Sequence, residues 1–271
     1  MAVESVTETA MIWGTVSGAS MVGMVISLLL SVGLPIFLGI FIYKKTKAWV
    51  PAFFIGCGIF VGFAMILEQI CHAIVLTVTG DVIRDNIWLY AIYGGLAAAL
   101  FEECGRWIAM KFFLKKHLTR ENALMYGAGH GGIEAFLILG MSSMSNLLTA
   151  AMINGGLMEK TMTALEPAQQ EVTYHQLSVL WTTPAYQFYL APVERISAIA
   201  LQIALSILVY SAVKTGRKLH LAAAFGLHFA VDFLTVVCAS TIPTWALELG
   251  LLLVVTVICV AVYKLVYLSL A

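Results

Sequence analysis

Seven apolar stretches, each close to or above the ~20 residues that a helix needs to cross a bilayer, constrain this chain more than any other feature. They lie near 19–43, 49–77, 87–113, 122–150, 193–213, 219–241 and 244–270. A helix satisfies its own backbone in lipid, so the expected fold is all-α: a polytopic membrane bundle of about seven helices. Composition agrees. Hydrophobic residues make up 61% of the chain and charged residues 11%, against about 45–50% and about 25% in a soluble domain. So few charges cannot cover a water-soluble globule. The same figures exclude disorder, coiled coil and nucleic-acid binding, which need polar or strongly charged chains. One multi-pass membrane domain is expected over residues 1–271, with the lipid bilayer as its surroundings.

The opening segment carries Glu4 and Glu8 and no basic residue. A signal peptide needs a positive region before its apolar run, so the first stretch reads as a retained helix. Cys57, Cys71, Cys104, Cys238 and Cys259 all lie in apolar stretches, with no CxxC pair. They read as small buried hydrophobes rather than disulfide or thiolate ligands.

Basic residues set the orientation. Lys44, Lys45 and Lys47 follow the first stretch; Lys111, Lys115, Lys116 and Arg120 follow the third; Lys214, Arg217 and Lys218 follow the fifth; Lys264 lies near the end. The opposite side holds only Arg84, Lys160 and Arg195, and most of the acids. The expectation is N-terminus outside and C-terminus cytoplasmic, in a bacterial cell membrane. One outer connection is long, about residues 157–192. Pro167, Pro184 and Pro192 each suit the first turn of a helix. Trp181, Tyr186, Phe188 and Tyr189 suggest an interfacial aromatic belt, with a lid over a site beneath as the functional alternative. No internal repeat is visible, which argues against an inverted-repeat transporter.

A charge at the centre of a membrane helix costs roughly 2.5–3.5 kcal/mol even on lenient scales. This chain nevertheless keeps several. The second stretch has Glu68 and His72; the third has Glu102, Glu103 and Arg106; the fourth has His130 and Glu134; the sixth has His228 and Asp232. Glu68–His72, Glu102–Arg106, His130–Glu134 and His228–Asp232 are spaced i, i+4, on one helical face. At 1.5 Å of rise per residue, His130 and His228 each lie roughly 15 Å in from the basic side, and Glu103 roughly 18 Å. Three helices thus present acids and imidazoles in one layer, with a catalytic core expected over about 87–241. His72 reads as a strut between helices, with Glu68 and His72 as possible additional site members. Glu134 and Asp232 read as residues that orient the imidazoles. The glycines at 127, 129, 131 and 132 allow close backbone approach or a broken helix, while Gly58 and Gly62 form a GxxxG that reads as packing.

A carboxylate beside an imidazole can activate water: the glutamate takes its proton, and a histidine positions it or holds the developing oxyanion. No serine or cysteine stands out as a nucleophile, and Gly-x-Ser-x-Gly and His-Glu-x-x-His are absent.

The set Glu102-Glu103…Arg106, His130 and His228…Asp232 resembles the motif series of glutamic-type intramembrane proteases. That superfamily includes the CAAX prenyl endopeptidases, the bacterial anti-sigma-factor proteases and a seven-span gamma-secretase subunit. The wording EECGRW, GAGHGGIEA and HFAVDF looks most like the bacterial YhfC group of intramembrane peptidases. The resemblance implies Glu102 as the water-activating base and Glu103 as its partner. It implies His130 and His228 as water or oxyanion ligands, with Arg106, Glu134 and Asp232 in support. CAAX enzymes space their motif EExxxR, whereas two residues separate Glu103 from Arg106 here, so CAAX substrate preference does not carry over.

The expected function is therefore hydrolysis of a peptide bond in a transmembrane or membrane-anchored protein substrate, without a cofactor. One alternative is a metalloprotease with zinc at His130, His228 and a glutamate. Others are a proton-coupled transporter using the same groups as a relay, and a non-catalytic membrane scaffold.

Overall fold

The computed structural model describes residues 11–270. The acidic opening segment with Glu4 and Glu8, used above for orientation and against a signal peptide, lies outside them. Among the described residues the regular structure is helical, and seven helices are long and apolar enough to cross a membrane. These are α1 (Gly18–Thr46), α2 (Pro51–Thr79), α3 (Ile87–Phe113), α4 (Arg120–Asn154), α7 (Ala185–Thr215), α8 (Lys218–Ala239) and α9 (Thr244–Leu270). Two shorter helices, α5 (Leu157–Met162) and α6 (Pro167–Thr182), fill the connection between α4 and α7.

Helix starts follow local chemistry. Ser17, Asn86 and Thr119 each turn a side-chain oxygen onto a backbone N–H of the first turn of α1, α3 and α4, relieving donors that have no partner within the helix. Pro167 opens α6, where its missing N–H costs nothing. Pro184 caps α7 from just outside.

Pro192 departs from expectation. It lies inside α7, eight residues in, so the fifth span begins at Ala185 rather than near 193. A proline in a helix interior leaves the carbonyl four residues back without its donor. Here that carbonyl belongs to Phe188, and the Ser27 hydroxyl of α1 reaches it at 3.2 Å while also meeting its own Gly23 carbonyl at 2.9 Å. A neighbouring helix thus offers a shared hydrogen bond to the carbonyl, one way a membrane helix tolerates proline.

The connection from 157 to 192 is also more than an aromatic belt. Trp181 packs against Trp13, and Tyr174 sets its ring edge-on to Trp13. The Tyr174 hydroxyl donates to the Ile12 carbonyl at 2.7 Å. Asn154 clamps the backbone of Val16 from both sides, at 2.8 and 2.9 Å. Beside these bonds Val16, Met24, Ile153 and Leu180 form a second small core, with Trp13 and Trp181 packed against it.

The centre of the bundle is α7, 72% of whose most apolar window is buried, against 33% or less for every other span. It packs along α4, which also meets α1 and α2. Glycines let α4 come this close. A Cβ on Gly129 would lie 1.9 Å from the Phe53 carbonyl oxygen of α2, and one on Gly56 of α2 would lie 2.2 Å from the Tyr126 carbonyl oxygen of α4. The helix is not broken beside His130: it runs without interruption from Arg120 to Ala135. Gly58 and Gly62 meet nothing within 4 Å, so that GxxxG is not a packing motif. The α2–α4 crossing uses Gly56 and Gly129 instead.

Candidate active site

Glu102 and Glu103 are neighbours on α3 with Arg106 one turn further on, and all three are buried. Arg106 is 0% exposed. Its Nη2 lies 3.7 Å from Glu102 Oε2 and its Nε 3.6 Å from Glu103 Oε2. One guanidinium therefore faces both glutamates, as i, i+3 and i, i+4 spacing permits. Neither Arg106 Nε nor Glu103 Oε2 has a hydrogen-bond partner, so this contact is an ion pair rather than a directed bond.

The two imidazoles reach the glutamates from different helices. His130 of α4 is 0% exposed, and its Nε2 lies 2.9 Å from Glu102 Oε2. Its Nδ1 faces the Tyr126 hydroxyl at 3.4 Å. With the proton on Nε2, Tyr126 donates to Nδ1 and Nε2–H donates to Glu102; Arg106 Nη2, 3.2 Å from that Nε2, is then a close contact rather than a hydrogen bond. His228 of α8 turns Nδ1 to Glu103 Oε1 at 2.9 Å. Its Nε2 points elsewhere, 3.5 Å from Asp232 Oδ2 and 4.0 Å from Glu102 Oε2. Adjacent glutamates thus serve different histidines, because neighbouring helical side chains point about 100° apart.

A further residue, not singled out in the sequence, joins them. Gln202 of α7 is buried. Its side-chain amide donates to Glu102 Oε2 at 2.9 Å and to Glu134 Oε2 at 2.8 Å. Arg106 donates to the Gln202 side-chain oxygen, and to its backbone carbonyl at 3.2 Å. Glu134 does not orient His130, although it lies one turn away. It turns toward α7, where Gln202 and Arg195 (3.1 Å) hold it. Arg195 also pairs with Glu194. Expected at the outer start of the fifth stretch, Arg195 lies well inside α7 because that helix begins at Ala185, ahead of the apolar run.

A cavity of about 400 Å³ opens beside this cluster. Glu102, Glu134, Gln202, His228 and Asp232 line its polar end, whereas Glu103 and His130 are not among the lining residues. Glu102 Oε2 is engaged by His130 and Gln202. Oε1 makes no hydrogen bond among the described residues and is not a fully buried atom. Glu102 and His228 both line the cavity: Glu102 Oε1 accepts no hydrogen bond among the described residues, and His228 Nε2 faces Asp232 Oδ2 at 3.5 Å and Glu102 Oε2 at 4.0 Å. His72 lines the same cavity. It pairs with Glu68 at 3.2 Å and meets the Tyr93 hydroxyl at 2.8 Å, joining α2 to α3.

Three of the site helices carry π-helical segments next to these residues. Val61–Glu68 ends on Glu68, Ala109–Phe113 follows Arg106 by three residues, and Phe136–Gly140 follows Glu134 by two. Such segments shift the register of a helix and recur at functional sites.

The donor types suit zinc. His130 Nε2, His228 Nε2 and the Glu102 carboxylate are nitrogen and oxygen ligands of the kind catalytic zinc takes. Among the described residues five glutamates are buried, Glu68, Glu102, Glu103, Glu134 and Glu248, against one buried arginine. Buried negative charge in excess calls for protons, imidazolium or a metal cation. As arranged, no three such side chains stand at coordinating positions among the described residues, and Arg106 Nη2 lies 3.2 Å from His130 Nε2.

Fold and site together define a multi-pass membrane protein with a buried carboxylate–imidazole centre beside a cavity. The chain belongs to the YhfC intramembrane metalloprotease family, whose profile matches residues 30–256. It is 43% identical over 204 residues to the membrane protein YhfC of Bacillus subtilis (strain 168), covering 72% of this chain and 76% of that one. No solved structure matches. The relative and the seven apolar helices make this a multi-pass bacterial membrane protein.

Proposed function

We propose that this chain is an intramembrane peptidase that cleaves a transmembrane or membrane-anchored protein with a water molecule activated by Glu102. The observation that carries the reading is that Glu102 lines the cavity with Oε1 free of hydrogen bonds among the described residues, while Oε2 of the same carboxylate is held by His130 and Gln202. Membership of a protease family supports hydrolysis over transport or scaffolding.

In this reading Glu102 Oε1 accepts a proton from water as the water oxygen attacks the substrate carbonyl carbon. The developing oxyanion receives a hydrogen bond from His228 Nε2 in its protonated form. Glu103 keeps that ring aimed by accepting from Nδ1–H, an arrangement common for working histidines. As the tetrahedral intermediate collapses, the C–N bond breaks and Glu102 returns its proton to the leaving amine. His130 and Arg106 hold Glu102 from behind. Purified protein should cleave a peptide that carries an apolar segment, and Glu102→Gln should not.

A second reading keeps the reaction and adds zinc. The donor types and the excess of buried glutamates favour it, as does the family's description. His130, His228 and Glu102 would hold the ion, which would supply a Lewis acid for the carbonyl and an acidified water. Metal analysis with chelator and add-back separates the two. Cleavage that survives chelation in protein containing far less than one zinc per chain is the outcome expected here. Loss on chelation and recovery with zinc would establish the metalloenzyme.

A further inference from the structure

Between Arg106 and the two cavity carboxylates stands one neutral side chain, and its chemistry admits a single orientation. Arg106 only donates hydrogen bonds, and ionised Glu102 and Glu134 only accept them. An amide placed between must turn its oxygen to the guanidinium and its nitrogen to the carboxylates. Gln202 does so: Arg106 donates to Oε1, and Nε2 donates to Glu102 Oε2 at 2.9 Å and Glu134 Oε2 at 2.8 Å. An amide nitrogen has two hydrogens, and each is used on a different carboxylate. The backbone of Gln202 joins the same network, since its carbonyl accepts from Arg106 at 3.2 Å and from Ser206 Oγ at 2.7 Å.

We propose that Gln202 is a positioning residue, which fixes the Glu102 carboxylate so that Oε1 faces the cavity and which ties Glu102 to Glu134 across α3, α4 and α7. This rests on the peptidase reading for its consequence in the reaction, and on geometry alone for the tie itself. Among the described residues Gln202 is the α7 side chain that hydrogen-bonds Glu102. With Oε2 held by His130 and Gln202 from two helices, rotation of the carboxylate is blocked and the remaining oxygen is presented to water. Burial makes the restraint effective: in a low-dielectric interior a hydrogen bond to a charged group is strong, and its loss is expensive.

Gln202→Met preserves length and approximate volume and removes both ends of the bridge. Gln202→Asn keeps the amide but is one methylene short, so it cannot span from Arg106 to both carboxylates. Both variants are purified and checked for a single symmetric peak on size exclusion. Two readouts follow. The first is the steady-state cleavage of a peptide carrying an apolar segment. Residues that orient a working group typically change activity about 10–100-fold, so kcat should fall by that much for Met and less for Asn, with KM within about twofold of wild type. The second is infrared difference spectroscopy of the carboxylate stretch, which needs no substrate. Wild type minus Gln202→Met should show a shifted carboxylate band that shrinks when Glu102 is already Gln.

A kcat within twofold of wild type in a folded Gln202→Met protein would overturn the positioning role. An infrared difference free of carboxylate bands would overturn the tie, whatever the activity. If Met fails to fold, the same two outcomes are read on Asn. A wild type that cleaves nothing while the band shifts as expected would overturn the peptidase reading and uphold the tie.

Discussion

At the scale of single residues, the charged members of the site were legible because each contradicts the apolar stretch around it. An acid or arginine in such a run carries a cost of several kcal/mol and draws attention. Gln202 and Tyr126 escaped for the opposite reason. A neutral amide in Leu-Gln-Ile-Ala-Leu costs less, and nothing in its spacing tells which carboxylates it meets. The division between Glu102 and Glu103 was likewise not readable from spacing, since both reach Arg106. It follows from where α4 and α8 stand: His130 lies at Glu102 and His228 Nδ1 at Glu103. Arg106 serves both glutamates and Gln202 through a planar fork, which the compact ammonium of lysine lacks. Arg106→Lys should keep partial cleavage. Arg106→Ala should lose nearly all of it and unfold at lower temperature, because removing one partner of a buried ion pair typically costs about 3–5 kcal/mol. Cleavage rates for the two variants, read with their thermal melts, check this; equal activity would make the ion pair incidental.

At the scale of elements, the apolar stretches located all seven spans, since length and hydrophobicity are what a crossing demands. The fifth was misjudged at its start. Glu194, Arg195 and Pro192 interrupt the apolar run, yet the helix continues through them because Glu134 and Glu194 neutralise Arg195 and Ser27 serves the carbonyl that Pro192 abandons. The glycines were legible as close-approach positions, but not which helix each one meets. That distinction gives a paired test. Gly129→Ala places a methyl carbon 1.9 Å from a backbone oxygen of α2, so the two helices must separate. Overpacking of this kind costs about 1–3 kcal/mol, and the thermal midpoint of the purified protein should drop. Gly58→Ala meets nothing within 4 Å and should leave the midpoint unchanged or raise it. Equal behaviour of the two would show that the α2–α4 crossing is looser than described.

At the scale of the whole molecule, seven crossings put the two described ends on opposite faces of the membrane. The expected orientation puts the connections with Lys115, Lys116, Arg217 and Lys218 on the cytoplasmic side and Lys160 on the other. With the native cysteines replaced, a cysteine at Lys116 should resist a membrane-impermeant thiol reagent in intact cells, and one at Lys160 should react. The reverse pattern would invert the topology and place the α5–α6 connection inside the cell. The centre itself draws on four helices. It exists only when α3, α4, α7 and α8 are assembled, which is why its geometry was beyond a reading of separate stretches. In the proposed mechanism Glu102 activates the water. Glutamine keeps the shape of glutamate but cannot take a proton, and a general base typically contributes about 10²–10⁴-fold in rate. Cleavage of an intramembrane substrate by purified, folded Glu102→Gln protein should therefore fall by at least about 100-fold, and by less in Glu103→Gln. Full cleavage by both single variants would contradict the glutamate mechanism outright.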